Sequence, residues 1–498
     1  MGAVSEKQEQ EKRIIGQRTT ESLLWFTIFP FALQLVRFVN SILLARLLSP
    51  SDFGIIGIAS VIVFYCNNLS NFGLGNAIVQ RKEIRPEHLN TFFAFNLSIS
   101  MLLCLAFILG AQSIASFFNI PELAEVMRVF SLMFIITALH TMGYTKLRRE
   151  LAFRQLALNE ATKTVLAIAI SLPLALAGFQ YWSMLLALLA SSMIATITIS
   201  LRARLLPRFA VNRDALKDLL GFASWNFFSL QIRLLGEYLD KLIVGKVLGV
   251  APLGFYEKAF GLAQMPYENI ANKISTVAFS TFSQCQSGME EVQHYFFRTF
   301  TAAAFLLFPL YIGLFTVADT FVLVLLGEKW QAMIPSFRIL LLAFLLASLG
   351  SIFSTINVTC GSHRQDSKLR LYCLVFLVPA LLLAVRHGVE AVSVVVLIHN
   401  ALFLCSSMLL ARASYALPVL RLARGILPAL AGAGLMAVAI FILKKYLLGS
   451  DSPISLLACV VMGGCLYGLW FWYGDFASWS FIKEKVYFYL SRTRKVGG

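Results

Sequence analysis

GFASWNFFSLQIRLLGEYLDKLIVGKVLGVAPLGFYEKAFGLAQMPYENIANK, residues 221–273, is the stretch whose reading decides the fold. A spanning helix needs about 20 apolar residues, so this text is long enough to cross a bilayer twice around a tight turn at Gly249-Val250-Ala251-Pro252. Yet it carries Arg233, Glu237, Asp240, Lys241, Glu257, Lys258, Glu268 and Lys273. A charge at membrane depth is unfavourable by roughly 2.5–3.5 kcal/mol on insertion scales unless it faces protein, another charge or water. Arg233, Glu237, Asp240 and Lys241 fall at i, i+4, i+7 and i+8, which is one face of a helix. Glu257, Gln264, Glu268 and Asn272 keep the same spacing on the next helix. Two adjacent helices with polar stripes predict the lining of a pathway.

The surrounding chain supports a membrane setting. Of 498 residues, 58% are hydrophobic and 14% charged, with a mean hydropathy of +0.75. A soluble core stops growing at about 250–300 residues and has no use for so much apolar surface. Fourteen apolar segments are readable as spans, at about 22–45, 53–79, 90–116, 123–144, 158–178, 181–201, 220–247, 252–277, 296–318, 335–357, 369–385, 388–411, 422–443 and 453–473. The first is too long for a signal-peptide core and contains Arg37, so it is expected to be retained. The charged segment 1–20 reads as an interfacial piece.

The net charge of +16 is a topology signal rather than a mark of nucleic-acid binding. With the N-terminus inside, 28 of the 42 Lys and Arg fall in inner segments, 6 in outer connections and 8 within spans. The positive-inside rule then places both termini in the cytoplasm. The eight cysteines are scattered through apolar text without a CxxC pair and read as small core residues. No nucleotide-binding, zinc-protease or serine-hydrolase motif is present, and no cofactor is expected.

The chain also repeats itself. At an offset of 200, Trp25 meets Trp225, Arg46-Leu-Leu48 meets Lys246-Val-Leu248, and Phe53-Gly54 meets Leu253-Gly254. Near 210, Arg128-Val-Phe-Ser-Leu132 meets Arg338-Ile-Leu-Leu-Leu342. The expected organisation is an N-terminal lobe 1–213 of six spans, a C-terminal lobe 214–412 of six, and 413–498 with two extra spans and a basic tail. Six spans per lobe make a parallel repeat about the membrane normal, with the substrate route between lobes.

The repeat predicts that 22–79 faces 221–277. Gln34, Arg37, Asn40 and Ser41 form a polar stripe on the first span, and Asn67, Asn68, Ser70, Asn71 and Asn76 give the second a high amide density. The expected substrate-binding residues are Arg37, Asn40, Asn67, Asn68, Asn71, Arg233, Lys241, Lys258 and Lys273. Such a lining suits a phosphorylated or uronic-acid-bearing, hydroxyl-rich substrate, since Arg holds phosphate and carboxylate bidentately. Glu237, Asp240 and Glu268 are the expected couplers of proton or sodium movement. The competing reading is internal pairing: Arg233–Glu237 and Glu237–Lys241 within one helix, and Arg37 to Glu237 or Asp240. Arg128, Arg338, Glu160 and Lys163 read as structural.

Arg46-Leu-Leu-Ser-Pro-Ser-Asp-Phe-Gly54 and Asn71-Phe-Gly-Leu-Gly-Asn-Ala-Ile-Val-Gln80 resemble the first-lobe signature of Wzx-like polysaccharide flippases. Asp240-Lys-Leu-Ile-Val-Gly-Lys-Val-Leu-Gly249 with Leu253-Gly-Phe-Tyr256 resembles the second-lobe counterpart, and Arg148-Arg-Glu-Leu-Ala-Phe153 and Gly327-Glu-Lys-Trp330 add to it. The likeness covers about residues 20–420, nearest the colanic-acid-exporter type. It implies an all-α two-lobe bundle of the multidrug/oligosaccharidyl-lipid/polysaccharide exporter superfamily. It also implies translocation of undecaprenyl-diphosphate-linked repeat units across the bacterial inner membrane, with spans 1, 2, 7 and 8 lining the cavity. Membrane lipids, a polymerase and chain-length-regulating proteins are the expected partners. Val277-Ala-Phe-Ser-Thr-Phe-Ser283 departs from the family's frequent Phe-Pro pair, which weakens Lys273 as a site.

Two rival functions compete with this one. A cation-coupled drug exporter of the same superfamily would carry fewer cations in its cavity. A polysaccharide polymerase needs a large outer loop, whereas no outer connection exceeds about 20 residues.

Overall fold

The computed structural model describes residues 29–72, 85–204, 208–284, 289–448 and 452–474, together with Leu74, Gly75, Ile78 and Trp479. All regular structure among them is helical. The first helices are α1 (Phe29–Leu47), α2 (Pro50–Asn71), α3 (Pro86–Phe118), α4 (Leu123–Phe130), α5 (Leu132–Arg149), α6 (Phe153–Leu176), α7 (Gln180–Ala203) and α8 (Arg213–Val247). Then come α9 (Val250–Pro266), a π-helical turn (Tyr267–Ala271) and α10 (Asn272–Gln284). The chain continues with α11 (Met289–Thr316), α12 (Ala318–Leu325), a 3-10 turn (Glu328–Met333), α13 (Ile334–Thr359), α14 (His363–Ala384), α15 (Val389–Tyr415), α16 (Val419–Leu443) and α17 (Pro453–Tyr473).

Among the described residues, eleven helical segments are long and apolar enough to cross a membrane, and each overlaps a segment read as a span from sequence. The other three expected spans, 158–178, 220–247 and 252–277, are helical as α6, α8 and α9–α10 but too polar to qualify on composition. Those three hold Glu160, Lys163 and most of the charges of the opening stretch.

Local chemistry starts several helices. At α2, the Asp52 amide donates to Ser49 Oγ at 3.3 Å and the Ser49 amide donates to Asp52 Oδ2 at 2.8 Å, a reciprocal capping box with Pro50 in the first turn. The other Asp52 oxygen accepts from the Tyr181 amide at 3.1 Å, which ties the start of α2 to the start of α7. Ser452, Pro453 and Ser455 build the same box at α17. Gly249, with φ +89°, makes the tight turn between α8 and α9 that residues 249–252 predict.

The chain divides into two compact units, Met1–Gly254 and Phe255–Gly498. In the first, α6 packs on α7, α5 on α3 and α7, α1 on α6, and α8 on α2 and α3. The C-cap residue of α2, Phe72, stacks on Phe227 of α8 with centroids 4.8 Å apart. The approach of α8 to α2 is set by Gly245, where a Cβ would lie 2.7 Å from Ile58 Cδ1. Gly54 lies against the Val250 carbonyl and Gly254 against the Pro50 carbonyl, so neither position has room for a side chain. These are the two glycines that the 200-residue repeat aligns.

In the second unit α13 is central, packed by α10, α11 and α15, and α16 joins α11 to α17. Phe296, Phe300 and Phe353 form an aromatic cluster with Phe353 5.1 Å from each of the other two centroids. Asp319 at the start of α12 takes Arg338 at 2.7 Å and Lys444 at 3.6 Å, a pairing that the snorkelling expected of Arg338 does not include.

Candidate functional site

The first unit holds a cavity of about 360 Å³ lined by α2, α5, α6, α7 and Tyr238 of α8. Asn67 and Asn68 contribute from α2, Thr137 and His140 from α5, Lys163 from α6, and Ser192 and Thr196 from α7. Phe64 and Tyr238 supply aromatic walls. Asn67 and Asn68 of α2 thus share this space with Tyr238 of α8, whereas Arg37, Arg233, Lys241, Lys258 and Lys273 are not among the residues that line it.

Hydrogen bonds fix several of these groups. Asn159 donates to the Ala195 carbonyl at 2.7 Å and to Thr198 Oγ1 at 2.9 Å, so its oxygen faces His140 Nε2 at 3.2 Å. That arrangement makes Nε2 the ring nitrogen that donates to Asn159 Oδ1. Asn68 Nδ2 donates to the Phe64 carbonyl at 2.9 Å, within its own helix.

Arg37 on α1 reaches α6. Its Nη2 donates to Glu160 Oε2 and its Nε to Thr164 Oγ1, each at 3.0 Å. The alternative of pairing with Glu237 or Asp240 is not what forms. The reason is packing: α1 lies on α6, whose Glu160 and Thr164 stand one turn apart and match the spread of a guanidinium. Glu160 thus belongs to this cluster, and Lys163 stands within electrostatic range of both Arg37 and Glu160.

On α8 much of the charge is satisfied within the helix. Arg233 Nη1 donates to Glu237 Oε1 at 2.6 Å, the i, i+4 pair that the spacing predicts. Lys241 Nζ goes instead to the Glu237 carbonyl at 2.7 Å and to Asp240 Oδ1 at 3.4 Å. Asp240 and Lys241 are buried, whereas Arg233 is exposed. Asn40 Oδ1 is buried on α1 without a hydrogen bond among the described residues. Asn71 is the last residue of α2, and its side chain, like Trp25, Asn76 and the segments 1–20 and 481–498, lies outside what the structure describes.

Lys258, Glu268 and Lys273 belong to the second unit. Lys258 is buried with its ammonium 5.8 Å from the centre of the Trp330 ring. Glu268 sits in the π turn after Pro266. A π segment acts as an inserted residue and rotates the downstream helix by roughly 100°. The stripe expected to run unbroken from Glu257 to Asn272 is therefore interrupted. Through Val277–Ser283, α10 continues as regular helix.

His140, Asn159, Lys163 and Thr196 were not among the expected site residues. The signal for them was present: Asn159, Glu160, Lys163 and Thr164 repeat at i, i+1, i+4 and i+5 in otherwise apolar text.

These features define a polytopic membrane protein with a polar, cation-bearing cavity inside one helical unit. Its fold is that of the lipid II flippase MurJ in an inward closed conformation, with a TM-score of 0.77 at 14% identity over 93% of this chain and all of that one. The chain belongs to the polysaccharide biosynthesis protein family, whose model matches residues 43–335. The lipopolysaccharide biosynthesis protein WzxC of Escherichia coli K12 is 25% identical over 375 residues, 74% of this chain and 75% of that protein. The succinoglycan biosynthesis transport protein ExoT of Rhizobium meliloti is 26% identical over 66% of each chain.

Proposed function

We propose that the protein is a flippase that moves undecaprenyl-diphosphate-linked oligosaccharide repeat units across the bacterial inner membrane for surface or exported polysaccharide. The observation that carries this is the placement of Arg37 and Lys163 beside a polar cavity inside helices otherwise written for lipid. Family membership and the MurJ-like fold support it. A drug exporter has less use for fixed cations there. The head group would enter from the cytoplasmic side while the prenyl chain stays in lipid, and the lobes 1–213 and 214–412 would alternate in access.

In this reading α6, α8 and α9–α10 also span, giving fourteen spans with both termini cytoplasmic. Residues 413–498 then add two spans and a basic tail. Arg233, Lys241, Lys258 and Lys273 serve as further anion-binding positions along the route, beside the amides of Asn40, Asn67, Asn68 and Asn71. Glu237, Asp240 and Glu268 are the carboxylates through which proton or sodium movement would be coupled. A polymerase and a chain-length regulator would receive the product.

Complementation tests it. In a strain deleted for this gene, Arg37→Ala and Arg233→Ala should each abolish the polysaccharide while membrane abundance stays at the level of the unaltered protein. Normal polymer with both variants would overturn the assignment of these cations.

A further inference from the structure

We propose that the cavity of the first unit is a subsite for a carboxylate-bearing sugar, with Lys163 as its counter-ion; this rests on the flippase reading and specifies part of its substrate. Lys163 lies ten residues into α6, roughly 15 Å along the helix from Phe153. It makes no hydrogen bond or ion pair among the described residues, because the nearby carboxylate of Glu160 is held by Arg37. The local charge of Arg37, Glu160 and Lys163 together is therefore +1. An ammonium at that depth without its own counter-ion is unfavourable, and a ligand anion relieves the penalty.

The charge also selects among anions. A diphosphate carries more than one negative charge and favours bidentate guanidinium, but the Arg37 guanidinium is engaged on both Glu160 and Thr164. One ammonium matches one carboxylate. Around it stand groups suited to ring hydroxyls: the His140 ring nitrogen not bonded to Asn159, the Asn68 oxygen left over from its bond to Phe64, and Ser192. Ser192 Oγ is buried and has no hydrogen-bond partner among the described residues. Phe64 and Tyr238 offer an apolar wall to a ring face. About 360 Å³ lies at the low end of the 300–1,000 Å³ of small-molecule sites, room for a sugar ring rather than a whole repeat unit.

The test has a binding arm and a transport arm. Full-length protein in detergent is titrated with sodium glucuronate, its uncharged methyl ester, glucose and inorganic diphosphate. The acid should bind at least ten-fold tighter than the ester or glucose; Lys163→Met should erase that difference, and Lys163→Arg should keep most of it. Equal binding of acid and ester by the unaltered protein overturns the proposal, without reference to whether any variant folds. So does displacement of bound glucuronate by diphosphate at lower concentration than by glucuronate itself, which would make the cavity a phosphate site. In proteoliposomes, lipid-linked oligosaccharides with and without a hexuronic acid are compared. Lys163→Met should bring the ratio of the two transport rates, acidic over neutral, down to about one, and an unchanged ratio overturns the proposal. Failure of the unaltered protein to move either lipid sinks the flippase reading, and the glucuronate titration still decides the subsite.

Discussion

Arg37 shows how much a residue's role depends on its neighbours. Within an apolar helix it stands out in the sequence, but its partners do not, because Glu160 and Thr164 lie more than 120 residues away. The Arg37–Glu160 pair stands in helix text that the flippase reading puts in the membrane, where a cation without a counter-ion is unfavourable. Glu160→Gln, which leaves Arg37 and Lys163 without that carboxylate, is accordingly expected to lower the melting temperature in detergent, and an unchanged melt would show that the pair contributes nothing to stability. Arg37→Lys, which can meet only one of the two acceptors, should export polysaccharide at well below the unaltered level with normal abundance. Full export by Arg37→Lys would mean that charge alone suffices.

At the scale of the element, the repeated glycines have a packing role. Gly54 and Gly254 each face the backbone carbonyl that begins the other's helix, so the starts of α2 and α9 meet without side chains between them. Backbone cannot yield as the tip of a side chain can. Gly54→Ala and Gly254→Ala are each expected to destabilise by ~1–3 kcal/mol, the usual penalty of overpacking. Gly110→Ala, which meets nothing within 4 Å in α3, should be neutral or slightly stabilising. Thermal melts of the three variants side by side check this, and an unchanged melt for Gly54→Ala would deny the contact its importance. The Phe-Gly and Leu-Gly matches in the sequence marked these positions without saying why. The π turn at Tyr267–Ala271 had no such marker beyond Pro266, and it redirected the charges after it.

For the whole molecule, the distribution of Lys and Arg makes a prediction that needs no side-chain geometry. A reporter active only outside the cytoplasm should work when fused after Ser49 or Gly388 and fail when fused at Arg208 or the C-terminus. Activity at the C-terminus would require an odd number of spans and remove one of α6, α8 and α9–α10 from the membrane. Those are the segments whose charge hides them from a composition criterion.

The class of the protein was legible before any contact was known. Apolar runs of bilayer length, basic inner connections and a 200-residue repeat are statements about solvent and periodicity, and they hold whatever the side chains touch. The sequence also located the amides of α2 and the ion pair Arg233–Glu237, because i, i+4 neighbours on one helix are fixed by the helix itself. Which distant charges cancel followed from the packing of the helices. Arg37 took Glu160, and that choice left Lys163, among the described residues, without an ion pair of its own beside a cavity lined by five helices. Periodicity assigns a residue to a face, but the partner across that face is chosen by which helices pack together.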